Sequence, residues 1–404
     1  MEKLKILSLS SVYPNPKEPI RGVFVRARLQ AMAEAAEIKV IAPVSLLDYG
    51  NSETALFGSR GVPRKRWDGA IEVFHPRWVY LPGGLWLNAP CMTIQMLRPL
   101  LRLRKIFPFD LIDAHFGYPE GIAACLLASA CGCPFTVTLR GNETMHGEKP
   151  VVRRWLRWTL QRAALVITVS ARLADFAASL GVRREKIAVV PNGVDASIFY
   201  ARDRAQCRRK HGISPSGKVI LSAGYLIETK GHHHVVAALK ALENRGITAE
   251  LLMAGTAGRG GRYEQEIKRL VSTLGLEQRV RFLGQVAPDA LAEIMAAVDV
   301  LCLCSAREGW PNVVHEALAC GTPVIATDVG GIRKLIASES YGHVIPINDQ
   351  VGLEDALYHT FQVTWDHAAI AAWAQQRSWR TVAADVLAEF SRIVAAETRE
   401  PVVF

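Results

Sequence analysis

The sequence predicts an α/β protein built from two Rossmann-like domains, each a doubly wound parallel sheet. Three observations carry this. The stretch Val300–Gly331, VLCLCSAREGWPNVVHEALACGTPVIATDVGG, reads as strand, loop, helix and strand in succession. Val300–Cys304 is a short apolar run, Ser305–Pro311 a loop broken by Gly309 and Pro311, and Asn312 a candidate N-cap. Val313–Cys320 is helical, with Val313, Ala317 and Cys320 on the face expected to meet the sheet, Gly321 closes it, and Thr322–Thr327 is the next strand. Second, the same alternation of apolar runs and helical segments recurs along the chain. Third, 404 residues of which 50% are hydrophobic and 21% charged suffice for two apolar cores.

In chain order, Leu4–Leu9 is the opening strand. A Pro-rich loop ending at Gly22 follows, then a helix over Val23–Ala36 and a strand over Ile38–Ala42. Residues 45–90, with Pro63, Pro76, Pro82, Gly83 and Gly84, read as an irregular insertion. Pro99–Phe107 carries Arg102, Arg104 and Lys105 and no acid. Leu111–Ala114 is a strand leading to His115 in DAHFGYPEG, and Phe135–Leu139 a strand ending in Arg140-Gly141-Asn142-Glu143. Lys149–Arg162 is a basic helix bearing Trp155 and Trp158. Strands at Leu165–Val169 and Ile187–Val190 precede the turn cluster PNGVD at 191–195. In the second half, Val219–Ala223 runs into the loop GYLIETKG and a helix from His232. Leu251–Ala254 ends in Gly255-Thr256-Ala257-Gly258, and Val280–Leu283 in Gly284-Gln285-Val286. A helix over 378–394 closes the chain.

The formal charge is +10 and the pI near 9.3, which favours anionic partners. No zinc-finger spacing or RNA-binding signature points to nucleic acid. The eight cysteines form no C-x-x-C and fit a reduced, cytoplasmic setting. The N-terminus reads as a strand, not a signal peptide, and no apolar run reaches membrane-spanning length. A basic helix with tryptophans over Arg153–Arg162 suggests peripheral contact with an anionic membrane surface, on the inner face of the cytoplasmic membrane. Consecutive His232, His233 and His234 point some 100° apart on a helix and cannot converge on one metal. No GxGxxG follows a strand, so a dinucleotide is not expected.

Two carboxylates stand out. On one helix Glu308 and Glu316 would sit roughly 12 Å and about 80° apart, too far to grip one small group. With Glu308 in the loop and Glu316 in the helix they can reach two parts of one extended ligand. Ionised carboxylates only accept hydrogen bonds and suit vicinal diols, while helix-start N–H groups suit a diphosphate. Diol, anion, diol describes a nucleotide-sugar.

The spacing Ser305-x-x-Glu308-Gly309-x-Pro311-x-x-x-x-Glu316-Ala317-x-Ala319-x-Gly321-x-Pro323-Val324 resembles the signature of the retaining glycosyltransferases of family 4, which have the GT-B fold. The resemblance implies two domains facing across a cleft: residues 1–190 on the acceptor side, residues 191–378 on the donor side, and a helix over 379–395 packing back on the first. It implies that Gly22 lies in the loop facing donor and acceptor, and that His115 approaches the sugar near the reacting carbon. Lys230 matches the lysine on the diphosphate, but Tyr225 stands where the family has an arginine. Arg140 and Arg21 are candidates to replace that charge. Gly284 and Val286 belong to the loop that holds the base. Glu316 would hold the ribose, and Glu308 with Gly309 and Trp310 the sugar, beside Pro311 and Asn312. Arg140 and Asn142 fall on the acceptor side.

The implied reaction moves a hexose from a nucleotide diphosphate sugar to a hydroxyl acceptor, a saccharide or lipid-linked saccharide, with retention. His115, Lys230 and Glu308 are the catalytic candidates. No two aspartates are two residues apart, so the Asp-x-Asp metal motif is lacking and no cofactor or metal is expected. Two alternatives stand beside it: a sugar-nucleotide epimerase of the same fold, and a non-catalytic nucleotide-sugar-binding partner of a polysaccharide assembly.

Overall fold

The computed structural model describes residues 3–47, 61–81, 84–257 and 261–397. It divides into two compact units, Met1–Gly193 with Trp379–Phe404, and Val194–Ser378.

Unit 1 begins with β1 (Lys5–Leu9), α1 (Val23–Ala33), β2 (Glu37–Ile41) and β3 (Val44–Ser45). The stretch expected to be irregular holds β4 (Lys65–Asp68), β5 (Ile71–Phe74), β6 (Arg77–Trp78) and the start of α2 (Leu85–Ile106). Of its expected breakers, Pro82 and Gly83 lie outside the described residues, while Pro63 and Pro76 fall between strands. α2 contains Pro90 and Pro99. A proline inside a helix ordinarily disfavours it, but Met92, Met96, Leu100 and Leu103 of α2 are all buried in the core. Next come β7 (Leu111–His115), α3 (Ile122–Cys131), β8 (Phe135–Leu139), α4 (Asn142–His146), α5 (Pro150–Arg162), β9 (Leu165–Thr168), α6 (Ala171–Ser179) and β10 (Ile187–Val189). The main sheet runs β10-β9-β8-β7-β1-β2-β5-β4, parallel except for β4 against β5. α2, α3 and α5 share the core of one sheet face. α1 covers the other, together with the chain's last helix.

Unit 2 comprises α7 (Arg204–Lys210), β11 (Lys218–Ala223), α8 (His232–Asn244), β12 (Ala249–Ala254), α9 (Arg262–Thr273), β13 (Val280–Gly284), α10 (Pro288–Ala297), β14 (Val300–Leu303), α11 (Asn312–Ala319), β15 (Val324–Thr327), α12 (Ile332–Leu335), β16 (Gly342–Ile345), α13 (Gln350–Thr360) and α14 (His367–Gln375). Its sheet is β13-β12-β11-β14-β15-β16, parallel throughout. α15 (Trp379–Glu397) then rejoins unit 1. Gly255 and its neighbours precede the undescribed Gly258.

Two local expectations change. Pro311, not Asn312, is the N-cap of α11, and no side chain caps that helix. The face of α11 turned inward is Val314, Ala317 and Leu318, while Val313 is half-exposed.

Candidate active site

In unit 2 the strand order reverses between β11 and β14: β12 and β13 extend one way, β15 and β16 the other. Loops leaving two such neighbouring strands part from each other and open a crevice at their carboxyl ends. The loop after β11 brings Lys230, and the loop after β14 brings Glu308. Their side chains meet, Lys230 Nζ lying 2.5 Å from Glu308 Oε1. Ser305 Oγ donates to the same oxygen at 2.8 Å, and Ser305 is itself fixed by Thr327 Oγ1 donating to its carbonyl at 2.5 Å. The carboxylate is thus held by a side chain from its own loop and a cation from the next. Gly330 lets this loop sit close: its φ is +55°, and a Cβ there would come within 2.6 Å of the Glu308 and Gly309 carbonyl oxygens.

Trp310 is 7% exposed and packs on Gly331, where a Cβ would stand 2.2 Å from its ring. It meets His315 edge-on at 6.1 Å. His315 Nε2 bonds the Ala374 carbonyl at 2.9 Å, and burial lowers its pKa to about 4. It is therefore a neutral structural ring at pH 7. Pro311 is buried and Asn312 half-buried at the start of α11. Glu316, one turn on, is half-buried, and burial pushes its carboxyl up to about 7. Tyr225 is 49% exposed, and its carbonyl faces His232 Nε2 at 3.1 Å. Gly284 ends β13 with φ +63°, its carbonyl taking the Gly255 N–H at 2.8 Å, and Val286 is half-buried just beyond. Lys230, Glu308 and the start of α11 are therefore brought together, with Tyr225 in the Lys230 loop. Among the described residues no group of histidines, cysteines or carboxylates could hold a metal ion.

Unit 1 reverses its strand order between β1 and β7, and a carboxylate bridges that point too. Glu120, 1% exposed, accepts from the Ser11 N–H at 3.1 Å and from the Ser11 hydroxyl, and burial raises its pKa. Gly22 caps α1 in the left-handed region, φ +74°, where a Cβ would lie 1.6 Å from the Val12 carbonyl oxygen. Glycine is obligatory there.

His115 is fully buried at the end of β7. Its Nδ1 takes Arg140 Nη2 at 3.0 Å, and its Nε2 lies 3.2 Å from Asp113 Oδ2. Asp113 in turn accepts from Arg28 Nη2 at 2.6 Å. Burial drives the His115 pKa down to about 3. Burial alone would raise that of Asp113, but the charge of Arg28 and the bonds it receives outweigh this and leave it low. His115 is thus an interior link, with no surface offered to a sugar. Arg140 is 8% exposed, also donates to Asn192 Oδ1 at 3.0 Å, and stacks on Phe24 at 5.0 Å. Its guanidinium is held by contacts inside unit 1. Arg21 pairs at the surface with Glu18 at 3.0 Å. Asn142 is exposed at the start of α4. Glu143 holds the turn, accepting from the backbone N–H of Gly117, Arg140 and Gly141. Sequence reasoning passed over Glu120, Glu143, Arg28 and Asp113. Of these Glu120 and Glu143 had a visible signal, each a carboxylate just past a strand end.

Two largely parallel sheets, each with a carboxylate held where its strand order turns, define a GT-B glycosyltransferase architecture. Residues 203–359 match the model for glycosyl transferases group 1 and residues 53–198 that for Glycosyltransferase Family 4. The chain is 30% identical to the N-acetyl-alpha-D-glucosaminyl L-malate synthase of Bacillus anthracis over 61% of this chain and 64% of that protein. It is also 30% identical to the 2-deoxystreptamine glucosyltransferase of Streptomyces kanamyceticus, over 68% of this chain and 76% of that one. The structure of Anabaena Alr3699/HepE in complex with UDP-glucose superposes with a TM-score of 0.73 at 22% identity, covering 96% of this chain and all of that one. The chain belongs to glycosyltransferase family 4.

Proposed function

We propose that this protein transfers a hexose from a nucleotide diphosphate sugar to a hydroxyl of a saccharide or lipid-linked saccharide, with retention and without a metal. The observation that carries this is the Lys230–Glu308 pair at the β11/β14 reversal. Without donor, each side chain neutralises the other. When a diphosphate enters, Lys230 turns to it and stabilises the negative charge that grows on the leaving group. Glu308, relieved of its partner, accepts hydrogen bonds from sugar hydroxyls, and the ionised form of Glu316 accepts those of the ribose. The start of α11 adds N–H groups to the phosphate side. Retention is assigned to a front-face route in which the departing phosphate takes the acceptor proton. Lys230 supplies the charge that a metal on Asp-x-Asp supplies elsewhere. Relatives named for glucosyl and N-acetylglucosaminyl transfer support a hexose.

The eight cysteines are all free, which supports a reducing cytoplasm. Among the described residues no helix is long and apolar enough to cross a membrane. The basic helix α5 supports work at the inner face of an anionic membrane. A thermal-shift screen over nucleotide-sugars identifies the donor, because excess ligand stabilises only the form that binds it. Product formation with that donor, unaffected by a chelator and abolished by Glu308→Ala, tests the reading. A donor sugar altered in the absence of acceptor would instead make the protein an epimerase.

A further inference from the structure

α2 sends Met92, Met96, Leu100 and Leu103 into the core, yet its opposite side is also apolar. Ile94 is 73% exposed, Trp86 57% and Leu101 39%, while Ile106 at the helix end lies about 120° round from Ile94. At about 100° per residue, Trp86, Ile94 and Leu101 fall within about 80° of one another, and Lys105, Arg98 and Arg102 occupy roughly the next 60° to 80°. α5 packs beside α2 on the same sheet face. It adds exposed Val151, Arg153, Arg154, Arg157 and Arg162, with Arg162 over Trp158 at 4.7 Å. Neither helix contains an acid. Among the described residues, the exposed carboxylate close by in sequence is Glu148, ahead of α5. The two α5 tryptophans are half-buried against the unit's own core, so the free apolar surface lies mainly on α2.

The charge decides what covers this face. A second copy, face to face, would set these cations against identical cations. A polyanionic chain would pair the arginines but leave the apolar stripe in water. An anionic bilayer does both tasks, phosphates meeting the cations and the headgroup–acyl boundary taking the apolar stripe. We propose that α2, flanked by α5, seats this protein on an anionic lipid surface, with Trp86, Ile94 and Leu101 entering the boundary. This deepens the lipid-linked acceptor reading and rests on it.

The full chain is sedimented with phosphatidylcholine vesicles and with vesicles containing phosphatidylglycerol. Binding only to the latter is expected, and Ile94→Ser with Leu101→Ser should lower the bound fraction at least about fivefold, since each buried methylene contributes to anchoring. Arg98→Gln with Arg102→Gln should lower it too, and salt should weaken the wild type. Equal binding to both vesicles, no binding, or indifference to the Ile94 and Leu101 changes would overturn the proposal. So would a dimer in light scattering that these changes dissociate. The nucleotide-sugar thermal shift is measured on the same proteins. A donor shift without vesicle binding rejects this surface alone, whereas vesicle binding without any donor shift rejects the transferase reading alone.

Discussion

Glu316 carries the clearest residue-scale test. Its ordinary value is 4.5, and burial raises it to about 7. A carboxyl whose folded value is raised favours folding below about 4.5, and that contribution is lost as pH climbs through about 7. Ribose binding demands the opposite form, because only the carboxylate accepts from both hydroxyls of a diol. Donor affinity measured by calorimetry should therefore fall as pH drops through 7, and Glu316→Gln should flatten the profile while weakening binding throughout. Lys230→Ala should lower kcat by about 10²–10³, the cost of losing a preorganised charge donor, and leave affinity for the matching free nucleoside unchanged. Equal losses in both would contradict its role on the diphosphate. Glu308 and Glu316 were legible because their spacing sits inside one strand–loop–helix unit. Glu120 and Arg28 were not singled out, since their partners Ser11 and Asp113 lie 109 and 85 residues away, and one sequence does not display such pairings.

At the scale of elements, the strands that sequence reading located were continuous apolar runs, many of them fully buried, such as β8, whose five residues are all buried. The strands it missed are β3 and β6 of two residues, and β4, β5 and β16 of four. Such strands are held by neighbours more than by their own pattern. α2 was obscured by its two prolines. α15 was expected to brace the first domain, and it does pack on α1 through Val382, Val386 and Phe390. Phe390 is fully buried, so Phe390→Ala should destabilise unit 1 by about 3–5 kcal/mol in denaturant unfolding. Gly22→Ala should do harm of another kind, because the methyl meets the Val12 carbonyl. Acceptor-dependent turnover should drop while the donor thermal shift is retained.

Over the whole molecule, the charge of +10 is not evenly spent. Neither α2 nor α5 carries an acid, whereas Lys230 is paired with Glu308. Hydrogen exchange with and without nucleotide-sugar should show new protection in residues 224–231 and 305–316. Protection confined to unit 1 would misplace the donor. What sequence alone could not supply at this scale was how the side chains settle around a strand reversal, which decides that Arg140 and His115 turn inward.

The division of unit 1 into two separated segments also has a consequence for biogenesis. All of unit 2 precedes α15 in the chain, so a ribosome finishes the second unit before it can complete the first. Until Phe390 has emerged, the nascent sheet of β1 to β10 exposes the part of its α1 face that α15 will cover, an interval in which a chaperone has an apolar surface to hold.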